Sequence, residues 1–172
     1  LGTLQIGGRT GSGGAASTGT FSMDSGNLVA NSVTVGLRAA GTSAGNVAGS
    51  LNLFGGTVSI GSGGLIVGRN SSTTSGFNTT GTINVSGGTV SVSASSGVSI
   101  RLADSTAAGG TANGVLNLTG GSLTVEGDIL RGASTGTSNA SVLLNGGTLN
   151  MGGHDLGAAG SGALALIAES GT

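Results

Sequence analysis

The sequence contains no cysteine, proline, tryptophan, tyrosine or lysine, and only 6% of its 172 residues are charged. Without cysteine, the chain forms neither disulfides nor thiolate metal sites. Collagen is excluded because proline is missing and glycine does not recur at every third position. The net charge of -1 gives no electrostatic basis for binding nucleic acid or an anionic membrane surface. We therefore expect no cofactor, no metal and no nucleic-acid partner.

Long apolar runs are also missing. No stretch of about 18 apolar residues occurs, so we expect no membrane insertion of this segment. The first residues, LGTLQIGGRTG, contain no initiator methionine, basic leader or apolar signal core. We interpret the sequence as a mature product or an excerpt of a longer chain.

What the sequence has in excess is glycine, at 39 positions. Such a composition often marks disorder, but disorder needs low hydrophobicity together with high net charge. Mean hydropathy is +0.34 here, and the apolar fraction of 36% is enough for one ordinary domain with a core.

The sequence repeats itself. The stretch GSLNLFGGTVSIGSGGLIVGR from Gly49 recurs as GTINVSGGTVSVSASSGVSIR from Gly81 and as GVLNLTGGSLTVEGDILR from Gly114, with weaker copies from Gly19 and Ala140. We divide the single domain into units near 19–48, 49–80, 81–113, 114–139 and 140–161, with partial units at 1–18 and 162–172; the glycine pairs of successive units lie 26 to 33 residues apart.

Within each unit, apolar residues alternate with small polar ones, which is typical of strands with one buried face. The pattern predicts three short strands per unit, separated by glycine-rich turns. The residues expected to face inward are Leu51, Leu53, Ile83, Val85, Leu116 and Leu118 in the first strand; Val58, Ile60, Val90, Val92, Leu123, Val125, Leu149 and Met151 in the second; and Leu65, Val67, Val98, Ile100 and Ile129 in the third. A helix is disfavoured because glycine and β-branched residues dominate these segments.

Strands this short share a core when successive units coil with their strands stacked in parallel. We predict an all-β fold, a right-handed parallel β-helix (β-solenoid) of about five to six rungs, on the order of 25 Å long at about 4.8 Å per rung. The alternative is an antiparallel flat meander or sandwich, which would not repeat the same residue types in the same slots.

The pattern G-x-L-x-L-x-G-G-x-V-x-V, followed by a glycine-rich step and L-x-V-G-R, resembles the glycine-rich β-strand repeats associated with autotransporter passengers and PEP-CTERM surface proteins. The resemblance covers nearly the whole chain and is best at 49–69, 81–101 and 114–131. It implies a right-handed β-helix in a secreted or surface-anchored bacterial protein with an adhesive or structural role. The units from Gly19 and Ala140 depart from the pattern.

All five basic residues are arginines: Arg9, Arg38, Arg69, Arg101 and Arg131. One occurs in each unit from 1–18 to 114–139, whereas the unit 140–161 has none. Their spacing predicts a ladder where the third strand meets a loop of variable length. We favour a structural role in which each guanidinium donates to loop carbonyls at this corner. The alternative is a basic surface for an anionic partner such as an acidic glycan.

Outward positions of the second strand form a candidate binding face of hydroxyl and amide side chains: Thr57, Ser59, Thr89, Ser91, Ser122, Thr124, Thr148 and Asn150. Such an array suits an ice or saccharide surface, although these residues also favour strands and solubility by themselves. Asn52, Asn84 and Asn117, in the outward slot of the first strand, predict an amide ladder.

Candidate catalytic or metal-binding groups are few. Glu126 and Asp128 form the one close carboxylate pair, a pattern used in glycoside hydrolysis or calcium binding, but it is not repeated in other units. His154 stands beside Asp155 without a partner placed by the sequence. We interpret these residues as solvated corner groups and predict no catalytic residues.

These observations favour a non-enzymatic structural or adhesive module of an extracellular bacterial surface protein or fibre, acting as a stiff rod by rung stacking. We expect self-association by end-to-end or lateral stacking, and a glycan or cell-surface ligand is a candidate partner. Two alternatives stay open: a polysaccharide-processing β-helix enzyme, and an ice- or glycan-binding solenoid that uses its Thr/Ser face.

Overall fold

A computed structural model describes residues 1–158 and 162–169, and this part of the chain is all β with no helix. Its fourteen strands are β1 Thr3–Arg9, β2 Ser17–Met23, β3 Asn27–Gly41, β4 Val47–Leu53, β5 Thr57–Ser72, β6 Asn78–Val85, β7 Thr89–Val92, β8 Val98–Ser105, β9 Thr111–Leu118, β10 Ser122–Val125, β11 Asp128–Arg131, β12 Thr137–Leu144, β13 Thr148–Asn150 and β14 Ala165–Ala168.

The strands stack as a parallel β-solenoid of about five turns with three faces. The first face is one sheet in the order β14-β12-β9-β6-β4-β2. The second face consists of 27–30 of β3 and 57–60 of β5, followed by β7, β10 and β13. The third face consists of β1, 32–41 of β3, 64–72 of β5, β8 and β11. All named strand pairs are parallel, which confirms the predicted solenoid; its right-handedness stays a prediction.

Equivalent positions of successive sequence units pair with each other. Gly19, Gly49, Gly81, Gly114 and Ala140, where the sequence copies begin, pair successively along the first face. Because the side-chain period of a strand is 2, this register sends the same slot of every copy to the same side of the sheet.

The core lies between the three faces and is built of stacked aliphatic side chains. Every predicted inward residue of the first strand is at most 2% exposed, as are the second-strand residues up to Val125. Leu149 and Met151, in the fifth turn, are only partly buried against this cluster. Burial of each aliphatic side chain stabilises the fold by roughly 1.5–3 kcal/mol.

The inward prediction is wrong for one residue, Val98. Ile100 pairs with Leu65 and Leu102 pairs with Val67, so Ile100 and Leu102 occupy the buried slots. Val98, two residues before Ile100, is only half-buried. The third strand is shifted because the connection at 93–97 is long and contains two residues with positive φ, Ser96 and Gly97. Val98, Ile100 and Leu102 all alternate with polar residues, so the alternation alone does not show which of them are buried.

Glycines inside the strands allow the third and first faces to touch. Gly36 and Gly68 both have φ of +74°, and a Cβ on Gly68 would lie 2.0 Å from the carbonyl oxygen of Asn113 on the first face. A Cβ on Gly81 would in turn lie 2.2 Å from the amide nitrogen of Gly68. The solenoid is therefore closed at this corner by direct backbone contact at Gly68 and Gly81, where an added Cβ would collide with backbone atoms.

Candidate functional site

The five arginines do not form one ladder. Arg9 pairs with Arg38, but the next residue in that column is Asn70, because Arg69 pairs with Leu37 below it and Asp104 above it. Arg101 pairs with Ile66 and Leu130, whereas Arg131 pairs with Leu102. The predicted ladder is thus limited to Arg9 and Arg38. Its spacing of about 30 residues is regular in sequence, but the turns differ in length, so equal spacing does not give equal register.

The column containing Arg38 faces inward because a left-handed residue precedes it. Gly7, Gly36 and Gly68 share one register position, which Ala103 fills in the next turn with φ of +56°. The strand alternation changes there, so Arg38 is fully buried while its neighbour Leu37 is half-buried.

The buried Arg38 guanidinium is surrounded by loop carbonyl groups from three successive turns. Its Nε donates to the Ser43 oxygen at 2.8 Å. Nη1 donates to the oxygens of Phe77 at 3.0 Å and Gly109 at 2.9 Å, and Nη2 donates to the oxygen of Thr74. The planar guanidinium donates in several fixed directions at once, which the ammonium of lysine cannot do.

The surroundings of Arg38 supply no counter-charge. Among the described residues no carboxylate lies within ion-pair distance of it, and its acceptors are neutral oxygens. Burial, and secondarily the positive charge of Arg9, lower the pKa of Arg38 from its ordinary value. The ring centre of Phe77 lies 5.3 Å from Cζ, which adds a cation–π contact. A cation enclosed in this way is a structural element, since no solvent-borne anion reaches it.

Asn70 continues the column in the next turn and was missed by reading the sequence. It is fully buried, accepts from Arg38 Nη1 at 3.4 Å and donates its Nδ2 to the Gly109 oxygen at 2.8 Å. Ser105, also buried, follows it in register. The residues two positions after Gly7, Gly36 and Gly68 are Arg9, Arg38 and Asn70, so aligning the units on these glycines, and not on the arginines, identifies the column.

The other arginines have separate surroundings. Arg9 donates to the Ala15 oxygen in its own loop. Arg69 lies 3.5 Å from the Asp104 carboxylate, which is itself buried. Arg131 donates to the Ser138 oxygen at 3.5 Å and to Ser134 Oγ at 3.3 Å. Arg101 is half-buried on the third face. A continuous basic surface is therefore not formed.

The candidate hydroxyl face is in register. Thr57, Thr89, Ser122 and Thr148 pair successively in one column, and Ser59, Ser91, Thr124 and Asn150 in a second. Their side chains are exposed or half-buried, and adjacent hydroxyls approach along each column, as in the 3.5 Å separation of Ser91 Oγ and Ser59 Oγ. The second face thus presents a flat, uncharged array with about 4.8 Å between rungs.

The predicted amide ladder is confirmed on the first face. Asn84 Nδ2 donates to Asn52 Oδ1 at 2.7 Å, and Asn117 Nδ2 donates to Asn84 Oδ1 at 2.7 Å. Leu143 ends the ladder by occupying the next position in register. A second amide ladder has only two members: Asn139 Nδ2 donates to Asn113 Oδ1 at 2.9 Å.

The acidic residues and the histidine meet only at one exposed corner. Asp128 Oδ1 accepts from the Asp155 amide at 3.0 Å and lies 3.9 Å from His154 Nδ1. Glu126 is exposed two residues away. In the part of the chain that the structure describes, no three His, Cys, Asp or Glu side chains group closely enough to hold a metal ion. Over the same residues, no helix is long and apolar enough to cross a membrane.

No family model, curated protein or solved structure matches this chain.

Proposed function

We propose that the chain is a non-enzymatic structural and adhesive module of an extracellular bacterial surface protein or fibre, in which it acts as a stiff rod. The observation that supports this proposal is the uninterrupted stacking of three parallel faces around one aliphatic core through about five turns. Each turn bonds to the turns above and below it along its strands, so bending or pulling the rod strains many hydrogen bonds together. The resemblance to autotransporter and PEP-CTERM-associated repeats supports the surface location.

The loops at 42–46, 73–77 and 106–110 fit this function because they are tied down at their centre. Arg38 binds carbonyl groups of all three loops. Their outer residues include exposed Ser75, Gly76 and Thr106, so partners can reach the loops without disturbing the rod.

Electron microscopy of the native material tests the proposal. We expect straight rods or fibres, and limited proteolysis should cut only at the loops between the third and first faces. Compact particles without rods, or cleavage throughout the strands, would count against a mechanical role.

A polysaccharide-processing enzyme is the first alternative. The Asp128–His154 pair is exposed at an outer corner, whereas enzymes of this class bind their substrate in a cleft lined by several polar groups. Turnover of an acidic polysaccharide that disappears in Glu126→Gln or Asp128→Asn would establish the enzyme and overturn the proposal.

The second alternative is binding of ice or a neutral glycan surface through the second face, and the in-register columns favour it. Replacing Thr57, Thr89 and Thr148 with bulky residues should then abolish binding of ice or glycan while the fold persists. Unchanged binding in these variants would exclude this face as the binding surface.

A further inference from the structure

The first face is the broader of the two faces whose outward columns carry no charged side chain. Three columns of outward side chains run through β6 at Thr80, Thr82 and Asn84, and a shorter fourth column starts at Asn78 and continues to Thr111 and Thr137. None of the 11 charged residues of the chain occupies these columns; they lie on the third face, in the loops or at the corners. Sheet proteins that remain monomeric usually place charges on such surfaces to oppose association.

The area of the first face is sufficient for a specific contact. Six strands at about 4.8 Å, with some seven residues of about 3.3 Å each, cover roughly 600 Å² of flat surface. Two such faces bury at least about 1,200 Å² in total, which is the lower limit of ordinary specific interfaces. The second face is narrower, because β7 and β10 have four residues each and β13 has three.

The polar groups of this face are partly satisfied before any partner arrives. Asn84 both donates to Asn52 and accepts from Asn117. Ser50 Oγ lies 3.1 Å from Asn52 Oδ1. Amides that already bond to one another lose less hydration energy on burial than free amides do, as in the dry contacts between stacked sheets.

Apolar side chains interrupt the polar columns toward the last turns. Val115 and Leu143 are half-buried, and Ile167 is 49% exposed in register with Leu143. The adjacent Leu166, at 51% exposed, pairs with the buried Val142 and therefore lies at the open end of the core, not on the outer side of the first face. Covering the outward Val115, Leu143 and Ile167 favours association.

We propose that the first face is a lateral interface between two copies of this chain, packed face to face and related by a two-fold axis. A two-fold axis along or across the rod places the central column, which contains Thr82, opposite the central column of the second copy. The two sheets then stack about 10 Å apart, as in a β-sandwich. The inference deepens the proposed function, because lateral pairing would thicken a rod into a fibre.

Single cysteines test this interface without background, because the chain has no cysteine of its own. Thr82→Cys lies at the centre of the first face, and Ser91→Cys lies in the same turn on the second face with similar half-burial. Under mild oxidation we expect disulfide-linked dimers of Thr82→Cys and far fewer of Ser91→Cys. Equal cross-linking of both variants, or none of Thr82→Cys, would overturn the proposal.

Sedimentation of the 172-residue chain gives a second measurement. We expect a concentration-dependent dimer whose Kd rises at least about tenfold in Thr82→Lys, because two lysines would oppose each other in the interface, and stays unchanged in Ser91→Lys. Far-UV circular dichroism shows whether each variant keeps its strands. A chain that stays monomeric at all concentrations overturns the interface alone, whereas loss of rods or fibres in the native material would overturn the proposed function.

Discussion

The Arg38 guanidinium donates to the carbonyl oxygen of Gly109 at 2.9 Å, joining residues 71 positions apart in the chain. Arg38 lies at the end of the first complete turn, and Gly109 lies in the loop that closes the third. One buried cation therefore binds carbonyl groups of three successive loops, and it adds to the hydrogen bonds that Asn70 and Ser72 make with the same loops.

Replacement of Arg38 should destabilise the fold strongly. We expect Arg38→Ala to lower the free energy of unfolding by about 3 kcal/mol, because it leaves several buried carbonyl oxygens without a donor. Arg38→Lys should lower it by about 2 kcal/mol, since the ammonium reaches fewer of them. Urea unfolding followed by circular dichroism measures both. Arg101→Ala, at a half-buried site, is the control and should change stability by less than about 1 kcal/mol. Similar losses of stability in all three variants would contradict the view that the Arg38 hydrogen bonds to loop carbonyl groups stabilise the fold.

The contact between the third and first faces can be tested with two glycines of similar φ. Gly68 has φ of +74° with the Asn113 oxygen 2.0 Å from an added Cβ, and Gly76 has φ of +81° with nothing within 4 Å. We expect Gly76→Ala to destabilise by about 1 kcal/mol through backbone strain alone. Gly68→Ala should add a steric clash with backbone and destabilise by about 3 kcal/mol or more. Thermal unfolding of the two variants would show equal losses if the faces did not touch.

The amide ladder predicts coupling between neighbouring asparagines. Asn84→Ala removes two side-chain hydrogen bonds and should lower stability by about 1–2 kcal/mol. In a double-mutant cycle with Asn52→Ala, the coupling energy should be about 1 kcal/mol, because the two changes share one bond. Measurements belong at low protein concentration, where association through the first face is weak. Additive effects would show that the ladder contributes nothing in solution.

The shifted third strand gives opposite expectations for two neighbouring apolar residues. Ile100 is 0% exposed and Val98 is half-buried. We expect Ile100→Ala to lower the free energy of unfolding by about 2–5 kcal/mol through cavity formation, and Val98→Ala by less than about 1.5 kcal/mol. Chemical denaturation of both variants distinguishes the registers. Comparable losses in the two variants would support the register predicted from sequence, in which both side chains face inward.

Much of the fold follows from the sequence because its apolar period and its repeat agree. Alternation at Leu51 and Leu53, repeated at Ile83 and Val85, requires strands with one buried face, and strands this short are stable only when stacked. The amide ladder at Asn52, Asn84 and Asn117 follows from the same register. These are local properties that a one-dimensional repeat turns directly into contacts with the next turn.

The arginines show where such reasoning fails. Their even spacing predicts a ladder, yet the structure places Asn70, not Arg69, above Arg38. Sequence spacing counts all residues of a turn, including those in its loops and bulges, whereas register depends only on where each strand starts to pair. The same cause moved Val98 out of the core. The glycine column at Gly7, Gly36 and Gly68, two or fewer residues before the arginines, was the better guide to register.

The sequence alone determined that this chain is a stacked, glycine-rich β-solenoid with few charged groups, because hydrophobic period and repeat length are written in residue order. Only the tertiary structure decided that Arg38 is enclosed by carbonyl groups of three loops and that the charged residues leave the first face bare. Both depend on which residues of separate turns meet. Which residues meet is set by the left-handed glycines, which change the side to which the following side chains point, and by the unequal loop lengths. Both effects are seen only when the turns are stacked.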